Sequence, residues 1–137
     1  GQFLAARGER RRAVDLTSAL VDYERLLEWE EGLAKYVEMA AWRAASESAQ
    51  YVPALTREQD PDFAAYTGYA THWKESVAQL RRQASREGEV RFYYTGLAQA
   101  MLLDRFAPRW KELALADGRF LEDWLADALE HPAETVE

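Results

Sequence analysis

The side chains able to do chemistry in this sequence are carboxylates, tyrosines and arginines, because it contains no Cys and only two His, His72 and His131. That excludes a disulfide framework, a thiolate zinc site and a cysteine nucleophile. Neither His has a second His at metal-ligand spacing, so His72 reads as a structural or exposed residue and His131 as part of a tail. Glu24, Glu28, Glu31, Lys35 and Glu38 recur at three- and four-residue intervals and share one helical stripe. On spacing alone this is a solvated face, in which a Glu31–Lys35 pair contributes about 0.3–0.5 kcal/mol. Tyr93 and Tyr94 stand in an apolar run and read as core aromatics whose hydroxyls bond a neighbouring backbone. Arg7, Arg10, Arg11 and Arg12 form a short basic cluster that reads as a solvated helix start, and Asp104-Arg105 and Glu122-Asp123 read as surface charges.

These side chains need elements to hold them, and the composition says which. The 137 residues are 48% hydrophobic and 30% charged, the balance of an ordinary globular protein, and the length is that of one domain at about 150 residues each. Ala, Leu, Glu and Arg dominate, β-branched residues are scattered, and no alternating run bounded by turn signals nominates a strand. The expectation is an all-α fold, a compact bundle of about five or six helices in a single domain covering residues 1–137.

The first helical pattern runs from about Arg10 to Ser48, with Val14, Leu20, Val21, Leu27, Leu33, Val37, Ala41 and Ala44 at helical intervals. Gly32 near its middle predicts a division there, one helix ending near Glu28 and another beginning. Two Pro make residues 50–62 the clearest loop, with Asp60 capping a short turn at Pro61. A helix from about Tyr69 to Arg86 is expected to turn Trp73, Val77, Leu80 and Ala84 inward and to end at Gly88. Residues 90–106 are apolar on nearly every side and predict a central, buried helix. Pro108 opens a helix through Ala116, Asp117-Gly118 makes a turn, and Phe120 to Leu129 forms the last helix before a frayed tail.

Two segments carry more information than their periodicity. The stretch Trp29-Glu30-Glu31-Gly32-Leu33-Ala34-Lys35-Tyr36-Val37-Glu38 resembles the W-x(1–2)-E-G-[LF]-A-x-Y-x-E segment of gluzincin metallopeptidases, the group that includes aminopeptidase N-like and thermolysin-like enzymes. Tyr93-Tyr94-Thr95-Gly96 is similar to the Y-x-K-G segment that follows it in aminopeptidase N-like members, with Thr95 where many have Lys. The resemblance spans roughly residues 25–105, and the two segments come in the family order. It implies that Glu31 is a zinc ligand completing a set whose two His come from an HExxH helix. It also implies that Tyr93, or the adjacent Tyr94, steadies the oxyanion of the tetrahedral intermediate. Gly32 would let the backbone approach the HExxH helix closely.

No HExxH occurs in these residues. Because the group places it before the Glu helix and the chain opens at Gly1, the resemblance implies an upstream HExxH-bearing region, with this chain the C-terminal helical portion, inactive alone and without zinc of its own. The position where some gluzincins carry an Asp that orients a His holds Lys35. In the parent protein the implied cofactor is zinc and the implied substrate a peptide.

Other classes are disfavoured or compete. Seventeen Lys and Arg against 24 Asp and Glu give a formal charge of −7, which repels a phosphate backbone, so no nucleic-acid partner is expected. The longest apolar stretches fall short of the roughly 18 residues a membrane span needs, so the chain reads as soluble with no membrane partner, and nothing indicates its compartment. The absence of Ile, Asn and Cys and the excess of Arg over Lys fit a GC-rich bacterial genome. The competing function is a non-catalytic α-helical interaction domain, with an exposed apolar face at Trp29, Leu33 and Tyr36 through which a homodimer would form.

Overall fold

A computed structural model of the chain describes residues 1–50, 69–83 and 86–131, and over these it is all-α. The described residues form six helices: α1 (Gln2–Ala13), α2 (Ser18–Glu47), α3 (Tyr69–Gln83), α4 (Val90–Phe106), α5 (Trp110–Asp117) and α6 (Leu121–Glu130). The proline-containing segment expected as a loop, the Asp60–Pro61 turn within it and the tail beyond His131 lie outside the described residues.

The break in the first helical pattern falls at residues 14–17 rather than at Gly32. Asp15 takes a left-handed backbone with φ of 48°, and Thr17 caps α2 by accepting the Leu20 N–H on its hydroxyl at 3.4 Å. α2 then runs unbroken for 30 residues. Gly32 does not interrupt it because the glycine serves a contact instead. A Cβ built there would lie 2.5 Å from the Gly96 Cα, and one at Gly96 would lie 2.3 Å from the Glu28 carbonyl oxygen. Glycine at both positions lets the backbones of α2 and α4 touch. The neighbour that Gly32 admits is thus α4, within this chain.

α2 and α4 run in the same direction: Tyr23 meets Glu89 at one end and Tyr36 meets Asp104 at the other. α1 runs antiparallel to α2, with Arg7 at Glu28 and Arg10 at Glu24. The central helix is α4, as its all-round apolarity predicts, with Phe92, Leu97, Ala100 and Leu103 buried, although Val90 and Leu102 at its flanks are exposed. Its inner face joins Trp110 and Ala114 of α5 and Leu121, Leu125 and Ala128 of α6 in one apolar core. Gly118, at φ of 63°, closes α5 in the left-handed conformation, and the Asp123 carboxylate accepts the Phe120 N–H at 3.1 Å to open α6.

Two expectations about faces change. Among the described side chains of α3, Trp73 and Leu80 are half-buried on the inward face as expected and Ser76 between them is buried, whereas Val77, expected inward, is exposed, and Ala84 lies outside the described residues. Trp29, Leu33 and Tyr36 do not form an exposed patch: they pack half-buried against the core, Tyr36 edge-on to Trp110 with ring centroids 5.9 Å apart.

The glycine contact is a point of failure. Gly32→Ala or Gly96→Ala forces a Cβ into backbone that can yield only by separating two helices, and each is expected to lose at least about 1–3 kcal/mol. Gly8→Ala, where the added Cβ meets only the Arg12 Nη1 at 3.5 Å, is expected to be neutral or to gain up to about 1 kcal/mol from helix propensity. Urea unfolding of the three variants measures both.

Candidate functional site

The acidic stripe of α2 splits into three environments. Glu24 and Glu28 are buried, at 5% and 2% exposure, and Glu31 is half-buried. The expected solvated face is therefore wrong for the first two, because α1 folds back over them and the arginines read as a solvated start are their counter-ions. Arg7, itself buried, places Nη1 2.8 Å from Glu28 Oε1 and Nη2 2.7 Å from Oε2. From α4, Thr95 donates to Glu28 Oε1 at 2.5 Å and Gln99 to Oε2 at 2.9 Å. Thr95 thus helps to hold the buried Glu28 carboxylate.

Glu24 gathers Arg10 at 2.6 Å, Arg91 at 3.1 Å and Arg11 at 3.2 Å. Burial works to raise its pKa, but hydrogen bonds from Arg10 and Arg11 and the charges of Arg10 and Arg7 outweigh that and hold it below the ordinary carboxylate value. Arg11 continues the network to α6 with a two-pronged pair to Glu122 at 2.8 and 2.9 Å, so Glu122 is not a free surface charge either. Nor is Asp104. It accepts from Tyr36 at 2.7 Å and Trp110 at 3.0 Å and pairs with Lys111 at 2.8 Å. Burial raises its pKa less than these three donors lower it.

Glu31 lacks such company. Among the described residues it makes no ion pair, since Lys35 turns to Glu38 at 2.8 Å instead of forming the expected bridge. Its neighbour is Tyr93, whose phenol pKa rises because the hydroxyl hydrogen-bonds toward the Glu31 carboxylate, with desolvation and the charges of Glu31 and Glu89 adding to it. Both tyrosines are half-buried, not sealed in the core. Tyr94 lies with its ring 6.0 Å from the Lys35 Nζ, a cation–π contact one turn along α2. The fold thus brings Glu31 and Tyr93 together from two distant segments and gives Tyr94 a different partner. His131 is exposed at the end of α6, and the His72 side chain lies outside the described residues. Among the described residues no group of three or more His, Asp or Glu is arranged to hold a metal ion.

Sequence reasoning missed Arg7, Glu24, Glu28, Gln99 and Glu122 as a connected set. The signal was present in two spacings: Arg7 and Arg11 are one helical turn apart on α1, as are Glu24 and Glu28 on α2.

No family model, curated protein or solved structure matches this chain.

The network makes two measurable demands. Glu28→Ala leaves the buried Arg7 guanidinium with only the longer contacts to Glu122 at 3.4 Å and Glu24 at 4.0 Å and is expected to cost about 3 kcal/mol, whereas the Arg7→Met, Glu28→Leu double variant should recover most of that loss. Thermal or urea unfolding distinguishes the two. For Glu24 and Asp104 the folded pKa lies below the unfolded one. Their stabilisation is therefore complete above the unfolded carboxylate range, near 4, and is lost as pH falls through the depressed folded values. The unfolding midpoint is expected to drop steeply below about pH 4, and Glu24→Gln should flatten that drop while lowering the midpoint at neutral pH.

Proposed function

We propose that this chain is the C-terminal helical portion of a gluzincin-type zinc metallopeptidase, to which it supplies Glu31 as the third zinc ligand and Tyr93 as a hydrogen-bond donor to the reacting carbonyl oxygen. The observation that carries the reading is the pairing of Glu31 with Tyr93 beside the Gly32–Gly96 contact. The two segments that resemble the family's motifs meet there, each through its glycine.

Glu31 suits one position in such a site. It is a half-buried carboxylate with no cation among the described residues to neutralise it, unlike Glu24 and Glu28, whose oxygens are occupied by arginines. One carboxylate does not make a site, so the two His and the general base belong to an HExxH segment outside these residues. Zinc, when bound, would lower the pKa of a coordinated water into the neutral range. A tyrosine phenol is protonated at neutral pH, the state in which it can donate to an oxyanion, and the Glu31 carboxylate moves the Tyr93 pKa further up. Tyr94, turned to Lys35, takes no part in this assignment.

The test uses the longer protein encoded with its upstream segment. Glu31→Gln is expected to lower zinc affinity by more than the 10- to 100-fold that losing an outer hydrogen-bonding partner costs, read by metal content after dialysis. Tyr93→Phe should leave zinc content unchanged and reduce kcat for peptide hydrolysis by about 10²- to 10³-fold. An upstream reading frame without an HExxH, or full zinc retention by the Glu31→Gln protein, would overturn the proposal.

A further inference from the structure

Between α1 and the residues from Arg86 into α4 lies a cavity of about 380 Å³, within the range of about 300–1,000 Å³ typical of small-molecule sites. Its lining is unusual for this chain. Four arginines, Arg7, Arg10, Arg86 and Arg91, face two carboxylates, Glu28 and Glu87, in a protein whose formal charge is −7. Neither Glu31 nor Tyr93 lines it, so it is separate from the pair discussed above.

The four arginines differ in how far their donors are used. Arg7 is buried, with both terminal nitrogens on Glu28. Arg10 and Arg91 each reach Glu24 through Nη2, and the rest of each guanidinium has no hydrogen bond within the described residues. Arg86 is exposed, and among the described residues its side chain makes no ion pair or hydrogen bond; the same is true of Glu87 beside it. A guanidinium with unspent donors in a fixed planar fork is matched to a carboxylate. Phe3 and Phe92 add apolar surface: Phe92 is buried beneath the Arg91 guanidinium at 4.6 Å, while Phe3 is 41% exposed.

We propose that this cavity binds a monocarboxylate with an apolar body, its carboxylate held by Arg86 together with Arg10 and Arg91 and its apolar part resting on the exposed Phe3 ring. Counted with Glu24, which Arg10 and Arg91 share, the four arginines face three carboxylates and leave one net positive charge for a monocarboxylate to balance, and inorganic phosphate, with no apolar body to rest on Phe3, is the weaker ligand.

Calorimetric titration of the chain with N-acetyl-L-phenylalanine, its uncharged amide and inorganic phosphate tests the proposal. The acid is expected to bind at one site with a dissociation constant of about 1 mM or tighter, and the amide and phosphate at least about tenfold more weakly. Arg86→Gln should weaken the acid by about five- to tenfold without moving the thermal midpoint, since no bond of the fold uses that side chain. Glu87→Gln should tighten it by about twofold, a gain that a merely structural role would not produce. Equal binding of acid and amide, tighter binding of phosphate, an Arg86→Gln protein indistinguishable from the parent, a Glu87→Gln protein that binds more weakly, or no heat at about 10 mM ligand would each overturn it.

Discussion

The Glu28 carboxylate sits at 2% exposure and is held by two nitrogens of Arg7, the Thr95 hydroxyl and the Gln99 amide. An ionised carboxylate taken out of water is costly by several kcal/mol unless its oxygens are satisfied. Here three helices contribute: α2 carries the charge, α1 its counter-ion and α4 the neutral donors. None of this is reachable unless α2 and α4 approach at backbone distance, which the Gly32–Gly96 contact permits. Glycine and glutamate are thus one constraint seen twice, four residues apart on the same face of α2. A carboxylate only accepts, so it also dictates that Gln99 present its NH₂ to Glu28, which leaves the Gln99 side-chain carbonyl oxygen buried without a partner among the described residues.

From that pin the electrostatics of the bundle follow in register. Because α1 runs antiparallel to α2, its arginines meet the glutamates in reverse order, Arg7 at Glu28 and Arg10 and Arg11 at Glu24. Arg11 then passes the connection to Glu122 and so to α6. One turn before Arg7 on α1 stand Phe3 and Leu4, neither of them a cation, and Glu31 makes no ion pair among the described residues. Three glutamates on one stripe therefore have different chemistry: two are spent on holding the bundle together, and Glu31 keeps its carboxylate for Tyr93.

Much of the architecture was legible in the residues. The helical class, the all-round apolarity of α4, the αL turn at Gly118 and the start of α6 follow from propensity, periodicity and capping, which are local and need only a window of a dozen residues. Gly32 was visible but its meaning was not. A glycine inside a helical pattern signals either a break or a close approach, and only the partner, Gly96 on α4, decides between them. The true break, at Asp15 and Thr17, had its capping threonine in plain view, but the continuous apolar spacing on either side masked it.

What the chain's own order of residues determined is which segments become helices, which faces are apolar, and that carboxylates and arginines fall at helical spacing on α1 and α2, because each is fixed by short-range sterics and by the 3.6-residue period. What only the tertiary structure decided is which charges go inside. Burial of Glu24 and Glu28, the diversion of Lys35 to Glu38 and the meeting of Glu31 with Tyr93 depend on how α1 and α4 are laid against α2. The physical reason is that a charged side chain is stable in the interior only when an opposite charge and hydrogen-bond donors arrive from other elements, and their arrival is a property of packing, not of spacing along one helix.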